Sequence, residues 1–413
     1  MNKKIKVVLI VLSISIIILL LGSFFFYQKE KNEQIKLEKE KHLVKEIKSH
    51  YNQYVKTIKK TKLYIKDNKK YKEIGSLAKD EIITLKKQNI NKNTKYFQID
   101  NINYYIKYQN VEKVENKKNI DNRYKNYIPF NENILTKDIT NLYQNEKLVY
   151  TLNKKLDLPI IRKEDGSNYV EYNNELFLIK QEDIESIYQK ENTNLPIASS
   201  IAATAYHFIY LNGDNSCNEL ICHSEEQIKS HFNYLKENNY FTLTTKEMEW
   251  FIDGKIRLPE KSILVTIDDG SRAEKFIPIL EEYKINATLF LITGWYSKEN
   301  YLSNYLEVAS HSNDLHNPGK CPGGQGGPIK CLDKETLLND LKTSREKLDG
   351  TEAFCFPFYE YNDYAIEILK EAGFKTAYIG GMKKVTPGIN KYKIPRITLN
   401  RNTTIEEYAD YIK

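Results

Sequence analysis

Glycine is scarce in the first half of this 413-residue chain: 14 of the 17 lie beyond residue 200. Tryptophan occurs twice, methionine three times, cysteine five times and histidine seven times. Five cysteines in so long a chain exclude a small disulfide-framed scaffold. The absence of any Cys-x-x-Cys pair argues against cysteine-ligated zinc. Only one long run is both apolar and uncharged, and a mean hydropathy of −0.58 excludes a mostly membrane-embedded chain. A hydrophobic content of 41%, with 12% aromatics, excludes a wholly disordered one, because that much apolar surface offsets chain entropy. The length predicts two or three domains.

The net charge of +7 is uneven. Residues 1–120 carry 27 basic and 12 acidic side chains, whereas residues 201–413 carry 25 and 30. With no nucleic-acid motif and an acidic second half, binding to nucleic acid is not expected. The basic end holds the uncharged run from Val7 to Tyr27, preceded by Lys3, Lys4 and Lys6. That run is long enough to cross a membrane as a helix, and its flanking lysines predict a cytoplasmic N-terminus. A cleaved signal has a shorter apolar core and a small-residue cleavage site, which Gly22-Ser23 matches poorly. No Cys follows the run, which argues against a lipid-modified N-terminus. Residues 1–27 are thus read as a cytoplasmic tip and transmembrane anchor, with the remainder extracellular. Residues 28–62, rich in Lys and Glu, are read as a helical stalk, because Val44, Ile47, Tyr51, Tyr54 and Ile58 recur every three or four positions. Its charge is read as a solvated face rather than a lipid- or wall-binding patch.

Two segments, Tyr96–Lys107 and Tyr169–Lys180, align without a gap at an offset of 73 residues. Each reads as strand, Asn-containing turn, strand, and each follows a Leu-Tyr pair, Leu63-Tyr64 and Leu142-Tyr143. Residues 63–190 are therefore expected to form two small all-β modules, similar in pattern to tandem bacterial SH3-like repeats. A spacer role is preferred to sugar binding, since most of their tyrosines suit a core. Residues 191–200, with Pro196, read as a linker.

Beyond residue 200 strands and helices alternate, which implies a parallel sheet or barrel of α/β type. Expected strands are Ala202–Tyr210, Ser262–Ile267 and Ala287–Leu291; expected helices are Ser224–Asn238, Thr245–Asp253 and Ala273–Tyr283. The apolar run Ile263–Ile267 ends in Asp268-Asp269-Gly270. Adjacent carboxylates diverge, so one can hold a metal while the other serves as a base. His311 and His316 supply two imidazoles, and with one carboxylate they make a three-ligand site that leaves room for water.

On these motifs residues 201–413 resemble the NodB homology domain of polysaccharide deacetylases, carbohydrate esterase family four. Thr266–Gly270 stands for the family's Thr-Phe-Asp-Asp-Gly run, and His311-Ser312 to His316 for its His-Ser/Thr-x-x-x-His motif. Tyr206-His207, Tyr240–Thr244 and Leu258–Ser262 resemble the branch that de-N-acetylates poly-β-1,6-N-acetylglucosamine. The resemblance implies a distorted (β/α) barrel and a divalent metal, with Zn2+ the expected ion. It implies hydrolysis of N-acetyl groups on a GlcNAc-containing polysaccharide, either peptidoglycan or exopolysaccharide. Carried over, Asp269, His311 and His316 hold the metal and Asp268 is the general base. The main chain near Phe358, within Phe356-Pro357-Phe358-Tyr359, stabilises the oxyanion.

Two departures stand out. The C-terminal Leu-x-His acid is absent from Ile397–Arg401, which makes His207 the candidate acid. The Arg that normally tunes the base is Cys355, leaving Arg396 as a substitute through space. These losses also motivate an alternative, a non-catalytic wall-binding protein with a degenerate domain. The Pro-Gly-rich insertion 317–332 follows the second metal His and is expected to shape the substrate groove. In an exported protein Cys217 with Cys222, and Cys321 with Cys331, are open to disulfide pairing, leaving Cys355 free.

Overall fold

The computed structural model describes residues 21–39, 41, 54–87, 94–115, 118, 122–191, 194–211, 217 and 219–413. Most of the expected membrane anchor, and Val44, Ile47 and Tyr51 of the expected stalk, lie outside the described residues. Residues 21–39 are helical. Among the described residues no helix is long and apolar enough to cross a membrane. The stalk does not extend to residue 62. Tyr54–Thr57 is a strand, paired antiparallel with Ile82–Thr84 and Val111–Val114. Its half-buried and buried positions alternate, with an aromatic and two β-branched residues, so period two prevails over the three-four spacing. Ile58, the last residue of the supposed seam, is 42% exposed.

The chain divides into two compact units. The first takes in the chain up to Asn122, with Ile134–Leu158 and Val170–Ile187. Its hairpins reflect the internal repeat. Thr61–Asp67 turns back as Lys70–Leu77 through Asn68-Lys69, and Thr140–Gln144 as Lys147–Leu152 through Asn145-Glu146. Both two-residue turns have positive φ at each position, the geometry that suits the twist of the flanking strands. Leu63 and Leu142 are fully buried, and Lys70–Leu77 pairs with Lys147–Leu152 to join the hairpins. The short helical turns Tyr108–Asn110 and Gln181–Asp183 each lead into a strand.

The second unit comprises Arg123–Asn133, Pro159–Tyr169 and Tyr188–Lys413. Seven parallel strands form its barrel: β1 (Ala202–Tyr206), β2 (Ser262–Asp269), β3 (Ala287–Leu291), β4 (Leu306–Ser310), β5 (Ala353–Cys355), β6 (Thr376–Gly380) and β7 (Ile394–Thr398). Each pairs with the next, and β1 pairs with both β2 and β7, closing the ring. All eight residues of β2 are buried, as a strand between sheet neighbours and helices requires. The expected strand Ala202–Tyr210 is interrupted at His207, with Phe208–Tyr210 pairing elsewhere with Cys222–Ser224. Around the barrel run α1 (Glu225–Glu237), α2 (Thr245–Ile252), α3 (Ile277–Tyr283), α4 (Lys334–Lys347), α5 (Asp363–Ala372) and α6 (Ile405–Ile412). Ser224, Thr244, Asp333, Asn362 and Thr404 accept a main-chain N–H at five of their N-termini.

Glu247 ties the segment Arg123–Asn133 into this unit. It is 2% exposed, accepts from both Arg123 Nε and Nη2 and from Tyr127 Oη at 2.8 Å, and closes the capping box of α2. Removing one partner of a buried ion pair strands the other at a cost of roughly 3–5 kcal/mol. Glu247→Ala is therefore expected to lower the unit's stability by about that amount, read as a fall in Tm by calorimetry. Arg123→Ala in the full chain is likewise expected to lower the Tm of this unit; an unchanged Tm would refute the role.

Candidate metal centre and active site

Strand β2 delivers two carboxylates to the C-terminal rim of the barrel, where barrels of this kind carry chemistry. Asp268 stands opposite Phe290 and Asp269 opposite Leu291 of β3. Period-two alternation separates their side chains, and Asp269 enters the left-handed region at φ 74°, turning the chain out of the strand. The two acids thereby acquire different partners.

Asp268 is 1% exposed and forms a bidentate pair with Arg396 of β7, both N···O distances being 2.7 Å. Arg396 is fully buried, and its Nη1 also donates to Thr266 Oγ1 at 2.8 Å. Burial opposes ionisation of Asp268, but the Arg396 charge and hydrogen bonds outweigh it, holding the carboxyl well below its ordinary range. Cys355, where the family motif has arginine, lies 2.8 Å from Arg396 Nη2 and 3.8 Å from Asp268 Oδ2. The small thiol leaves room for the guanidinium to arrive from another strand, so the structure brings together Asp268 and the proposed substitute Arg396.

Asp269 faces the histidines. His311, just after β4, and His316, in the loop beyond, each bring Nε2 to 3.3 Å from Asp269 Oδ1. His311 Nδ1 donates to the Cys355 carbonyl at 2.8 Å. A carbonyl only accepts, so Nδ1 carries a proton and Nε2 is the nitrogen left facing Asp269. Asp269 Oδ1 is buried and has no hydrogen-bond partner. One orphaned carboxylate oxygen and two imidazole nitrogens, all within 4.8 Å, fit a divalent ion with a position left open. A second set, Asp268, His311 and Cys355, is equally compact. It fits worse, because Asp268 is committed to Arg396 and burial pushes the Cys355 thiol pKa up.

His207, at the break after β1, places Nε2 3.8 Å from Asp268 Oδ2, while its Nδ1 is buried without a partner. Burial holds its pKa below the ordinary value, although Asp268 opposes this. Pro357–Tyr359 is a tight turn after β5. Phe358 and Tyr359 both lie in the left-handed region, φ 56° and 59°, which costs a bulky residue on the order of 1–3 kcal/mol each. The Phe358 ring packs on His316 at 4.2 Å, and Tyr359 Oη reaches Thr398 at 3.2 Å.

Several contributors were not among the sequence candidates. Asp340 of α4 accepts the Asn313 and Asp314 N–H groups at 2.9 and 2.8 Å, fixing the loop between the two histidines. Trp295 is 48% exposed, yet its Nε1 is pinned to Asp314 Oδ1 at 3.0 Å and its ring stands 6.0 Å from His316. Rarity was the only available signal for it, as one of two tryptophans. The Cys217–Cys222 and Cys321–Cys331 disulfides form, and Cys355 is free and buried.

This ligand set makes two binding predictions, both measurable by equilibrium dialysis against Zn2+. His316→Ala is expected to lose stoichiometric binding. Asp268→Asn is expected to retain it, since Asp268 faces Arg396; loss of metal in that variant would mean the two carboxylates have been assigned the wrong way round.

A polysaccharide deacetylase family model matches residues 255–377. A poly-β-1,6-N-acetyl-D-glucosamine N-deacetylase of Staphylococcus aureus is 30% identical over 199 residues, covering 43% of this chain and 67% of that protein. A protein of the same description from Staphylococcus epidermidis is 27% identical over 215 residues, covering 46% and 72%. The solved structure of IcaB from Ammonifex degensii is 21% identical, with a TM-score of 0.45 over 53% of this chain and 99% of that one. The chain belongs to the polysaccharide deacetylase family, and its barrel unit is that of a deacetylase hydrolase.

Proposed function

We propose that the chain is a metal-dependent enzyme that hydrolyses N-acetyl groups on GlcNAc residues of an extracellular or cell-wall polysaccharide, with poly-β-1,6-N-acetylglucosamine the favoured substrate. The observation that carries this reading is the division of labour between adjacent acids: Asp269 joins two histidines, while Asp268 is locked ionised against Arg396. The identity of the Staphylococcus relatives supports the substrate class.

Asp269, His311 and His316 would hold the ion, Zn2+ by the character of the donors. When bound, it supplies Lewis-acid polarisation and lowers the pKa of water. Asp268 takes the proton from the attacking water as the new C–O bond forms at the acetyl carbon. The Phe358 main-chain N–H donates to the oxygen on which charge develops. The C–N bond then breaks, and His207 delivers a proton to the departing amine. Because burial keeps the free imidazole neutral, that proton must come from the reaction itself, and the 3.8 Å gap to Asp268 suits the hand-over. Trp295 offers an exposed ring beside His316 against which the apolar face of a pyranose can lie. The anchor read at residues 1–27 would hold the enzyme on the extracellular face of the cell membrane, with the β-rich repeats as a spacer.

Acetate release is expected from β-1,6-linked GlcNAc oligomers, and in comparison assays to exceed that from chitin oligomers and peptidoglycan. No release from any of the three by the metal-loaded protein would overturn the reading. Arg396→Met leaves Asp268 buried without its counter-charge, so the carboxyl pKa rises and the protonated base predominates at higher pH. The acid limb of the pH–kcat/KM profile should move upward; an unshifted limb would remove Arg396 from base tuning. With Trp295→Ala, KM for the oligomers should rise about tenfold, the worth of one good aromatic contact, with kcat nearly unchanged. The substrate-induced change in tryptophan fluorescence, recorded on metal-free protein, should disappear in the same variant.

A further inference from the structure

Three donors of the Pro-Gly-rich insertion converge on one side chain, Glu360, two residues beyond Phe358. The Gln325 N–H donates to Glu360 Oε1, the Gly327 N–H to Oε2 at 2.7 Å, and Lys330 Nζ lies 2.9 Å from Oε2. Lys330 also donates to the carbonyls of Gly323 and Pro322, at 2.7 and 3.3 Å, so one cation links both sides of the loop to the carboxylate. The loop is closed upon itself by the Cys321–Cys331 disulfide. Two of its glycines, Gly324 and Gly327, lie against this contact. A Cβ at residue 324 would stand 1.9 Å from Glu360 Oε1, and one at residue 327 would meet Glu360 Oε2 at 3.0 Å and the Phe358 ring at 3.2 Å.

Phe358 is therefore held from two directions. One contact of its ring is with His316 at 4.2 Å; another is the close approach of Gly327. Two consecutive bulky residues in the left-handed region persist only where their surroundings over-determine them. The residue that follows them is the one that receives the loop. Although partial burial opposes ionisation of Glu360, Lys330 and the two main-chain donors outweigh it and hold the carboxyl below its ordinary value.

We propose that Glu360, clamped by Gln325, Gly327 and Lys330, is a positioning residue that holds the Phe358–Tyr359 turn in its left-handed form. The Phe358 N–H thereby stays aimed at the developing oxyanion. The insertion then acts as a brace for transition-state stabilisation, beyond any part in shaping a groove. This rests on the deacetylase mechanism proposed above, in which that N–H is the donor. Losing a single oxyanion donor costs about 100- to 1000-fold in kcat, so a donor merely displaced costs less.

The test compares full-length wild type with Glu360→Gln, which keeps the shape but places an amide NH2 against donors. Expected are a kcat lower by about 10- to 100-fold, a KM within about threefold, and unchanged zinc stoichiometry. Affinity for a tetrahedral methylphosphonamide analogue of N-acetylglucosamine should fall by the same factor as kcat, a correlation that general loosening of the fold would not produce. Lys330→Met should give a smaller loss of the same kind and Lys330→Arg should restore activity, and this pair carries the test if Glu360→Gln folds poorly. An unchanged kcat in Glu360→Gln, or a loss tracking KM or metal content, would overturn the proposal. Failure of the wild type itself to release acetate would instead refute the underlying function.

Discussion

The division of roles at the rim depends on the buried pair between Asp268 and Arg396. An isolated charge in a fully buried position is prohibitively costly, and here each ion removes that cost for the other through two 2.7 Å contacts. The pair does more than stabilise. It commits Asp268 to the ionised form and takes it out of the competition for metal, leaving Asp269 as the available acid. Linkage follows in sign: the carboxyl pKa is depressed in the fold, so its stabilisation is complete above the unfolded value of about 4 and is lost only as pH falls below it.

The same pair explains a departure from the family pattern that had suggested a degenerate site. Where an arginine is expected two residues before Pro357, Cys355 occupies little space and stays uncharged. Arg396 fills that space from β7, with its Nη2 at 2.8 Å from the sulfur. The positive charge comes from another point in the chain and still contacts Asp268. Cys355 also contributes its carbonyl to His311, so one residue touches both halves of the candidate centre, through its side chain toward Asp268 and its main chain toward His311.

Much of this was legible in the sequence because it is local. The apolar run ending in Asp268-Asp269 marks a strand end, and the His311/His316 spacing marks a loop after a strand; both are one-dimensional signals. The 73-residue repeat was legible because the same strand pair recurs, Tyr96–Gln98 with Tyr105–Lys107 and Ser167–Tyr172 with Glu175–Ile179, down to the left-handed asparagines Asn101 and Asn174 in their turns. What was not legible depends on through-space partners. Nothing in the neighbourhood of Trp295, Asp340 or Glu360 distinguishes them from surface residues; their roles come from Asp314, from the Asn313 and Asp314 N–H groups, and from a loop more than 30 residues upstream. The stalk was over-extended for a related reason. A spacing of four also keeps two residues on one face of a strand, and pairing of Tyr54–Thr57 on both edges decides the matter. The linker was placed by composition, which cannot reveal that Arg123 returns to Glu247.

Barrel closure is itself part of the site. Strand β1 pairs with β2 on one side and β7 on the other, and it is at this seam that the ring is completed. His207 leaves the end of β1, Asp268 lies near the end of β2, and Arg396 projects from β7, so three consecutive strands of the closed ring supply the candidate acid, the candidate base and the counter-charge of that base. An open sheet with the same strands in chain order would separate the first of them from the last by the width of the sheet. The chain therefore obtains proximity between positions 207, 268 and 396 from topology, and any loosening of the seam would separate the charges before it disturbed the Asp269–His311–His316 cluster on β2 and the loop after β4.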